Sequence, residues 1–186
     1  MPRREEKFPM TLQRAEERKK KAFATVILAE ADIVGAIALA ASLGKRSDIS
    51  MGDIELVVLV ACKLSEKEKT ALGMMFSFVL EVTPLANPML EPSLLSRLPF
   101  GSQEEKSLWE NSTKPLLAAD KSHTILKLWS LTQYSKIVYL SATTTVLQNI
   151  DELFLLPELS AVGDFNPPDN FNIGLMVSSF VIFLVM

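Results

Sequence analysis

The stretch WSLTQYSKIVYLSATTTVLQNIDELF, residues 129–154, reads as a helix end, a buried strand, a polar break and a short helix. Its centre, KIVYL at 136–140, is apolar from Ile137 to Leu140 and rich in β-branched and aromatic side chains. A half-wet strand alternates apolar with polar residues. This one does not, which predicts a parallel strand covered on both faces. Ser141, Ala142, Thr143, Thr144 and Thr145 follow at once. Open α/β sheets bind ligands just outside the carboxyl ends of their strands, so a site is predicted to centre on 141–145.

The preceding half of the chain repeats the pattern. AFATVIL at 22–28 and IELVVLV at 54–60 are continuous apolar runs, and 78–82 gives a third, shorter strand. Between the first two, 33–43 reads as an alanine-rich helix with Val34, Ile37, Ala38 and Ala41 on one face, and Gly44 as its predicted stop. Ser65 with Glu68 three residues on is a capping box. The helix it opens is predicted to carry Leu72, Met75 and Phe76 inward, its methionines filling the core. Strands alternating with helices at intervals of roughly 25 residues imply right-handed crossovers and a mostly parallel sheet flanked by helices, an α/β fold.

Composition bounds the function. The chain has 186 residues, 48% apolar and 22% charged, with mean hydropathy +0.24. That is enough for one domain with a proper core. A net charge of −3 gives no reason to expect nucleic acid as a partner. Residues 1–21 carry eight Arg and Lys against four Glu and read as a charged, solvated extension, with 22–186 as a single domain. Cys62 is the only cysteine and His123 the only histidine, so neither a disulfide nor a His/Cys zinc site can be assembled. Cys62 reads as a buried, inert thiol in an apolar strand context. The final 13 residues, 174–186, carry no charge but fall short of the ~20 apolar residues of a membrane span.

The remaining segments are less regular. Pro84, Pro88, Pro92, Pro99 and Pro115 leave no room for a long element in 83–121. Loops of that length are functional lids or disordered. Residues 124–131 read as a short helix. Asp151 and Glu152 read as carboxylates stabilising a helix start, since neighbours on a helix diverge and cannot act as an acid/base pair. A strand is predicted at 159–162. A polar loop with Asp164, Asp169 and Asn170 then leads through Asn172 and Gly174 into a last strand.

WSLTQYSK, the strand after it, and VLQNIDELF resemble the glycogenin-type glycosyltransferases of family 8. GAIALAASL, LVVLV and LSEKEK extend the likeness, from about 23 to about 177. The resemblance implies a Rossmann-like GT-A fold, here incomplete at its C-terminal end. It also implies a cytoplasmic domain, a homodimer, a UDP-sugar donor and a manganese ion. In the family the central strand ends in Asp-Ala-Asp-Thr, whose aspartates hold the metal. Here those positions are Ser141 and Thr143, so no metal ligand is expected and no cofactor is predicted. The family's diphosphate-directed lysine falls at Ile125, with Lys127 two residues on. Its hydroxyl-bearing residues fall at Ile27 and Leu28, and its base-stacking tyrosine at Asp32. The family's Phe-Asn-x-Gly, which places an asparagine on the donor sugar, is kept by Phe171, Asn172 and Gly174. The family has a segment over the donor near here, so the resemblance favours a lid at 83–121, and an insertion is equally consistent with the sequence.

The donor-binding candidates are therefore Asp164, Asn172, Gly174 and Lys127, and no catalytic residue is assigned. Three readings stay open: a transferase using a metal-free variation, a pseudoenzyme keeping the fold, and a truncated product or scaffold that does not bind nucleotide-sugar.

Overall fold

The computed structural model describes residues 19–49, 52–85, 101–109, 111, 120–163 and 171–179. Six strands form one sheet in the order β3-β2-β1-β4-β6-β5. The strands are β1 (Lys21–Ile27), β2 (Ile54–Val60), β3 (Phe78–Glu81), β4 (Lys136–Leu140), β5 (Ser160–Gly163) and β6 (Phe171–Ser179). The pairs β1–β2, β1–β4 and β2–β3 are parallel, in the registers Lys21↔Ile54, Lys21↔Lys136 and Val57↔Phe78. β6 joins β4 antiparallel with Leu140 opposite Leu175, and β5 joins β6 antiparallel with a bulge at Ala161/Val162. The chain runs from β1 outward to β2 and β3, then returns to β4 on the other side. That reversal puts the switch point between the carboxyl ends of β1 and β4.

Period-2 side-chain alternation divides the core in two. Phe23, Ile27, Leu56, Val58, Val138 and Leu140 face helix α1 (Asp32–Arg46), helix α2 (Glu66–Met75) and Phe154. Ala24, Val26, Val57, Leu59 and Ile137 face Leu128, Leu131 and Tyr134 on the opposite side. Continuous apolar strands are thus covered twice, as their sequence required. Tyr134 is 2% exposed, and its hydroxyl donates to Glu55 at 2.7 Å. Lys20 donates to the other carboxylate oxygen at 2.5 Å. Burial alone would raise the Glu55 carboxyl, but these two hydrogen bonds outweigh it and hold it below its ordinary value. Burial, then the Glu55 bond, pushes the Tyr134 hydroxyl up.

Several elements differ from their sequence-based expectation. α1 passes through Gly44 to Arg46, and Ser47 N–H closes it on the Leu43 carbonyl. Gly44 meets nothing, whereas Lys45 and Arg46 in the last turn complement the helix dipole. The buried stripe of α1 is Ile33, Ala36, Leu39, Ala40 and Leu43, one residue before the predicted face, and Val34 is 76% exposed. The capping box at Ser65 and Glu68 forms as predicted, and Leu72 and Phe76 are buried. Met75 packs against the core while Met74 is exposed. The element before β4 is a 3-10 helix, Ser122–Ser130, and a further one spans Asp151–Leu155. Asp151 receives Asp48 N–H at 2.9 Å and the Asn149 amide at 3.1 Å, a tie between distant segments more than a helix cap. Cys62 lies beyond the end of β2 and is half-buried, not inside a strand. Within 83–121, residues 83–85 take no regular secondary structure and Gln103–Leu108 forms a short helix, α3. Asp164 and the residues after Ser179 lie outside the described residues.

Two glycines of α1 separate packing from propensity. A Cβ on Gly35 would drive into the backbone carbonyl oxygen of Ala142, whereas one on Gly44 would meet nothing within 4 Å. Gly35→Ala is expected to destabilise by about 1–3 kcal/mol, and Gly44→Ala to stabilise by about 0.5–1 kcal/mol, read by urea denaturation. The Tyr134 shift gives a pH dependence. A raised folded-state value means that the stability is intact below the unfolded tyrosine value of 10.0 and is lost as pH rises beyond it. Tyr134→Phe is expected to lower stability by about 1 kcal/mol at neutral pH and to flatten the alkaline loss in melts above that value.

Candidate functional site

The turn after β4 is built from small residues and is tied on both sides. Thr144 N–H donates to the Ser141 carbonyl at 2.9 Å, closing the turn. Ala142 is buried beneath α1, where Gly35 lets the helix backbone approach. The next segment is tied to the same helix by Val146 N–H, 3.0 Å from Ser42 Oγ. On the other side Ser141 N–H donates to the Gly174 carbonyl at 2.8 Å, carrying the β4–β6 ladder one residue past Leu140.

These ties open a cavity of about 480 Å³ lined by Ser141, Thr143, Thr144, Val162, Asn172, Gly174 and Leu175. Ser141 Oγ and Thr143 Oγ1 share a hydrogen bond of 2.9 Å. Asn172 Oδ1 accepts Gly174 N–H at 2.7 Å. A Cβ on Gly174 would lie 2.8 Å from that oxygen, so the bare glycine keeps the asparagine folded back on its own strand. The structure therefore brings Asn172 and Gly174 together with the 141–144 turn. It does not bring Lys127 to the cavity: Lys127 sits half-buried on the 3-10 helix, where its carbonyl accepts Ser130 Oγ at 2.7 Å.

The other positions singled out in the sequence serve the fold. Ile27 is fully buried and Ile125 packs into the core, so neither offers a polar atom. The Asp32 carboxylate accepts Leu28 N–H at 3.1 Å and Ala29 N–H at 3.0 Å, bracing the loop beyond β1. Burial, with the Asp32 charge a smaller contribution, raises the Tyr139 hydroxyl to about 12. Among the described residues, no group of three or more His, Cys, Asp or Glu is placed to hold a metal. A divalent oxygen-seeking cation wants carboxylates, and the two hydroxyls at the turn are neutral and already bonded to each other. The ligand set at the turn does not fit the ion.

A second cavity, of about 500 Å³, lies at the carboxyl ends of β2 and β3, with Cys62, Lys63, Glu81, Thr83 and Lys121 in its lining. Sequence reading missed it because β3, the residues after β2 and Lys121 meet only in the fold. Val162 and Leu175 of the first cavity were missed for the same reason.

No family model matches the chain. Individual relatives do. Glycogenin-1 of Oryctolagus cuniculus is 36% identical over 157 residues, 84% of this chain and 40% of that protein. UDP-glucuronate:xylan alpha-glucuronosyltransferase 1 of Arabidopsis thaliana is 29% identical over 160 residues, 86% of this chain and 20% of that one. The apo-form glycosyltransferase GlyE of Streptococcus pneumoniae TIGR4 aligns over 87% of this chain and 34% of its own, with TM-score 0.49 and 12% identity. The fold is an α/β domain with a six-stranded mixed sheet among the described residues. The chain is glycogenin-like in sequence over 84% of its length, and through that likeness is related to the family 8 nucleotide-sugar transferases. It spans 40% or less of the length of each of these relatives.

The second cavity yields a prediction of its own. Burial pushes the Cys62 thiol above its ordinary value of 9.0, against the opposing pull of Lys121. Alkylation by iodoacetamide is expected to be slow at neutral pH and to rise only above pH 9.0, followed by intact mass. Rapid labelling at neutral pH would contradict the assigned surroundings.

Proposed function

We propose that the chain is a glycogenin-type sugar transferase domain in which metal-dependent transfer from a nucleotide-diphosphate sugar is impaired, that is, a pseudoenzyme. The observation that carries the reading is the Ser141–Thr143 hydroxyl pair at 2.9 Å, standing where the family's motif has two aspartates. Departure of a nucleoside diphosphate leaves charge that a divalent cation normally neutralises as a Lewis acid. Neutral hydroxyls bind such an ion far more weakly than carboxylates do. Ile125 in the lysine position and Asp32 in the stacking position support the same reading. The first is apolar and packed, and the second is committed to backbone N–H groups.

In this domain the bound metal would supply diphosphate neutralisation, and no described residue stands in for it. The chain's own residues do something narrower. Asn172 and Gly174 shape the cavity wall, the 141–144 turn presents hydroxyls, and β6 holds both against β4. No helix among the described residues is long and apolar enough to cross a membrane.

The test is UDP release from UDP-glucose and UDP-glucuronate with Mn²⁺, comparing the wild type with Ser141→Asp/Thr143→Asp. Wild-type release is expected at the buffer background. The double variant is expected to gain Mn²⁺ binding and to raise any residual release by about a hundredfold, equivalent to about 2.7 kcal/mol in the barrier. Mn²⁺-dependent release by the wild type would overturn the reading.

A further inference from the structure

We propose that Ser47, Asp151 and the carboxyl-terminal turn of α1 form a binding site for a monovalent cation. The site lies at the opposite end of α1 from the Gly35–Ala142 contact, away from the β4 turn.

Two buried oxygens identify it. Asp151 Oδ1 and Ser47 Oγ are both closed off from solvent, and neither has a hydrogen-bond partner among the described residues. They belong to one junction, because Asp48, the residue after Ser47, donates its N–H to Asp151 Oδ2 at 2.9 Å. The Asn149 amide donates to that same Oδ2 at 3.1 Å, and Asn149 Oδ1 accepts Asp151 N–H at 2.8 Å. The carboxylate is thus fixed on one side by neutral donors and bare on the other. Ser47 Oγ could donate to Oδ1 but does not reach it. A carboxylate oxygen buried without a donor is costly, and one small bound species between the two oxygens would satisfy both.

Charge decides what that species is. Asp151 takes part in none of the ion pairs among the described residues, so no Lys, Arg or His balances it there. The negative pole of the α1 dipole falls at the same place. Asp48 N–H would reach the Gly44 carbonyl if the helix ran on, but it is spent on Asp151, which leaves that carbonyl without its helical partner. A carboxylate, a hydroxyl and the carbonyl end of a helix are the oxygen donors that a hard cation takes.

The same inventory sets the valence. Calcium takes six to eight oxygens with carboxylates prominent among them, and no group of three or more His, Cys, Asp or Glu is placed to hold a metal among the described residues. Only one carboxylate turns a buried oxygen to the junction, and Lys45 and Arg46 in the last turn of α1 oppose a second positive charge. Sodium or potassium fits that balance. The ion would bridge α1 to the 3-10 helix Asp151–Leu155, whose Phe154 packs on Phe23 of β1 with ring centroids 4.7 Å apart. Binding at this junction therefore reads out as stability of the whole domain.

The experiment compares thermal melts of the whole chain in NaCl, KCl and choline chloride at equal ionic strength, alongside the ²³Na linewidth. A saturating rise of about 3 °C in Tm is expected in NaCl or KCl over choline chloride, with ²³Na broadened by the protein. Asp151→Asn keeps the acceptor for Asp48 N–H and puts an amide where Oδ1 stood. It is expected to fold, to melt in choline chloride no lower than the wild type, and to lose both the salt difference and the ²³Na broadening. Ser47→Ala is expected to weaken the response by a few fold while keeping the fold. Equal melts of the wild type in all three salts would mean an ordered water only, and would overturn the inference. An undiminished response in folded Asp151→Asn would place the cation elsewhere and overturn it too. A response to calcium at micromolar concentration, with none to sodium or potassium, would overturn the assigned valence and the inference with it.

Discussion

The contact between the Gly35 backbone and the Ala142 carbonyl sets the geometry on which the site depends. A side chain on Gly35 would collide with that oxygen, so α1 can lie across the end of β4 only where the helix is bare. From this approach the rest follows in sequence. Ala142 is buried, Ser42 reaches Val146, and the turn is pressed toward β6, where Ser141 meets Gly174. The cavity is therefore a product of helix packing as much as of the turn's own residues. The same contact accounts for the small Ala142, which is buried under the helix, where a large side chain would hold the helix off.

Chemistry at the turn is governed by what two positions carry. Carboxylates there would repel each other at close range unless a cation lay between them. Hydroxyls need no such partner and close the gap with a hydrogen bond. The hydroxyl pair is thus self-consistent: it closes the turn with neutral groups and needs no cation between them. Ile27 and Ile125 likewise give packing and offer no polar atom.

Much of this was legible from local pattern. Runs such as IELVVLV and KIVYL mark doubly covered strands: they are too short for a buried helix and too evenly apolar for a strand with one wet face. Ser65 and Glu68 announced their helix start because capping is settled within four residues. The location of the first cavity was legible too, from the small residues after β4. What escaped depends on contacts across the chain. Ile33 and Val34 are both apolar, and only the sheet's position decides that the first is buried and the second is 76% exposed. Gly44 looked like a stop because glycine often is one, but the helix's last turn is favoured by Lys45 and Arg46. Asp151 stands in the first turn of its 3-10 helix as read, but it also accepts the N–H of Asp48, 103 residues away, which no spacing announces. The second cavity needed Cys62 and Lys121 brought together, which no spacing reveals.

The central claim is that the β4 turn has no affinity for a divalent cation in the presence of nucleotide. The most direct measurement is the free Mn²⁺ signal in electron paramagnetic resonance, titrated with this chain in UDP and again with Ser141→Asp/Thr143→Asp. The wild-type chain is expected to leave the signal at the level set by UDP alone, while the double variant depletes it. Stoichiometric loss of the signal on adding the wild-type chain would contradict the claim, and would mean that the hydroxyl pair is not the whole of the site.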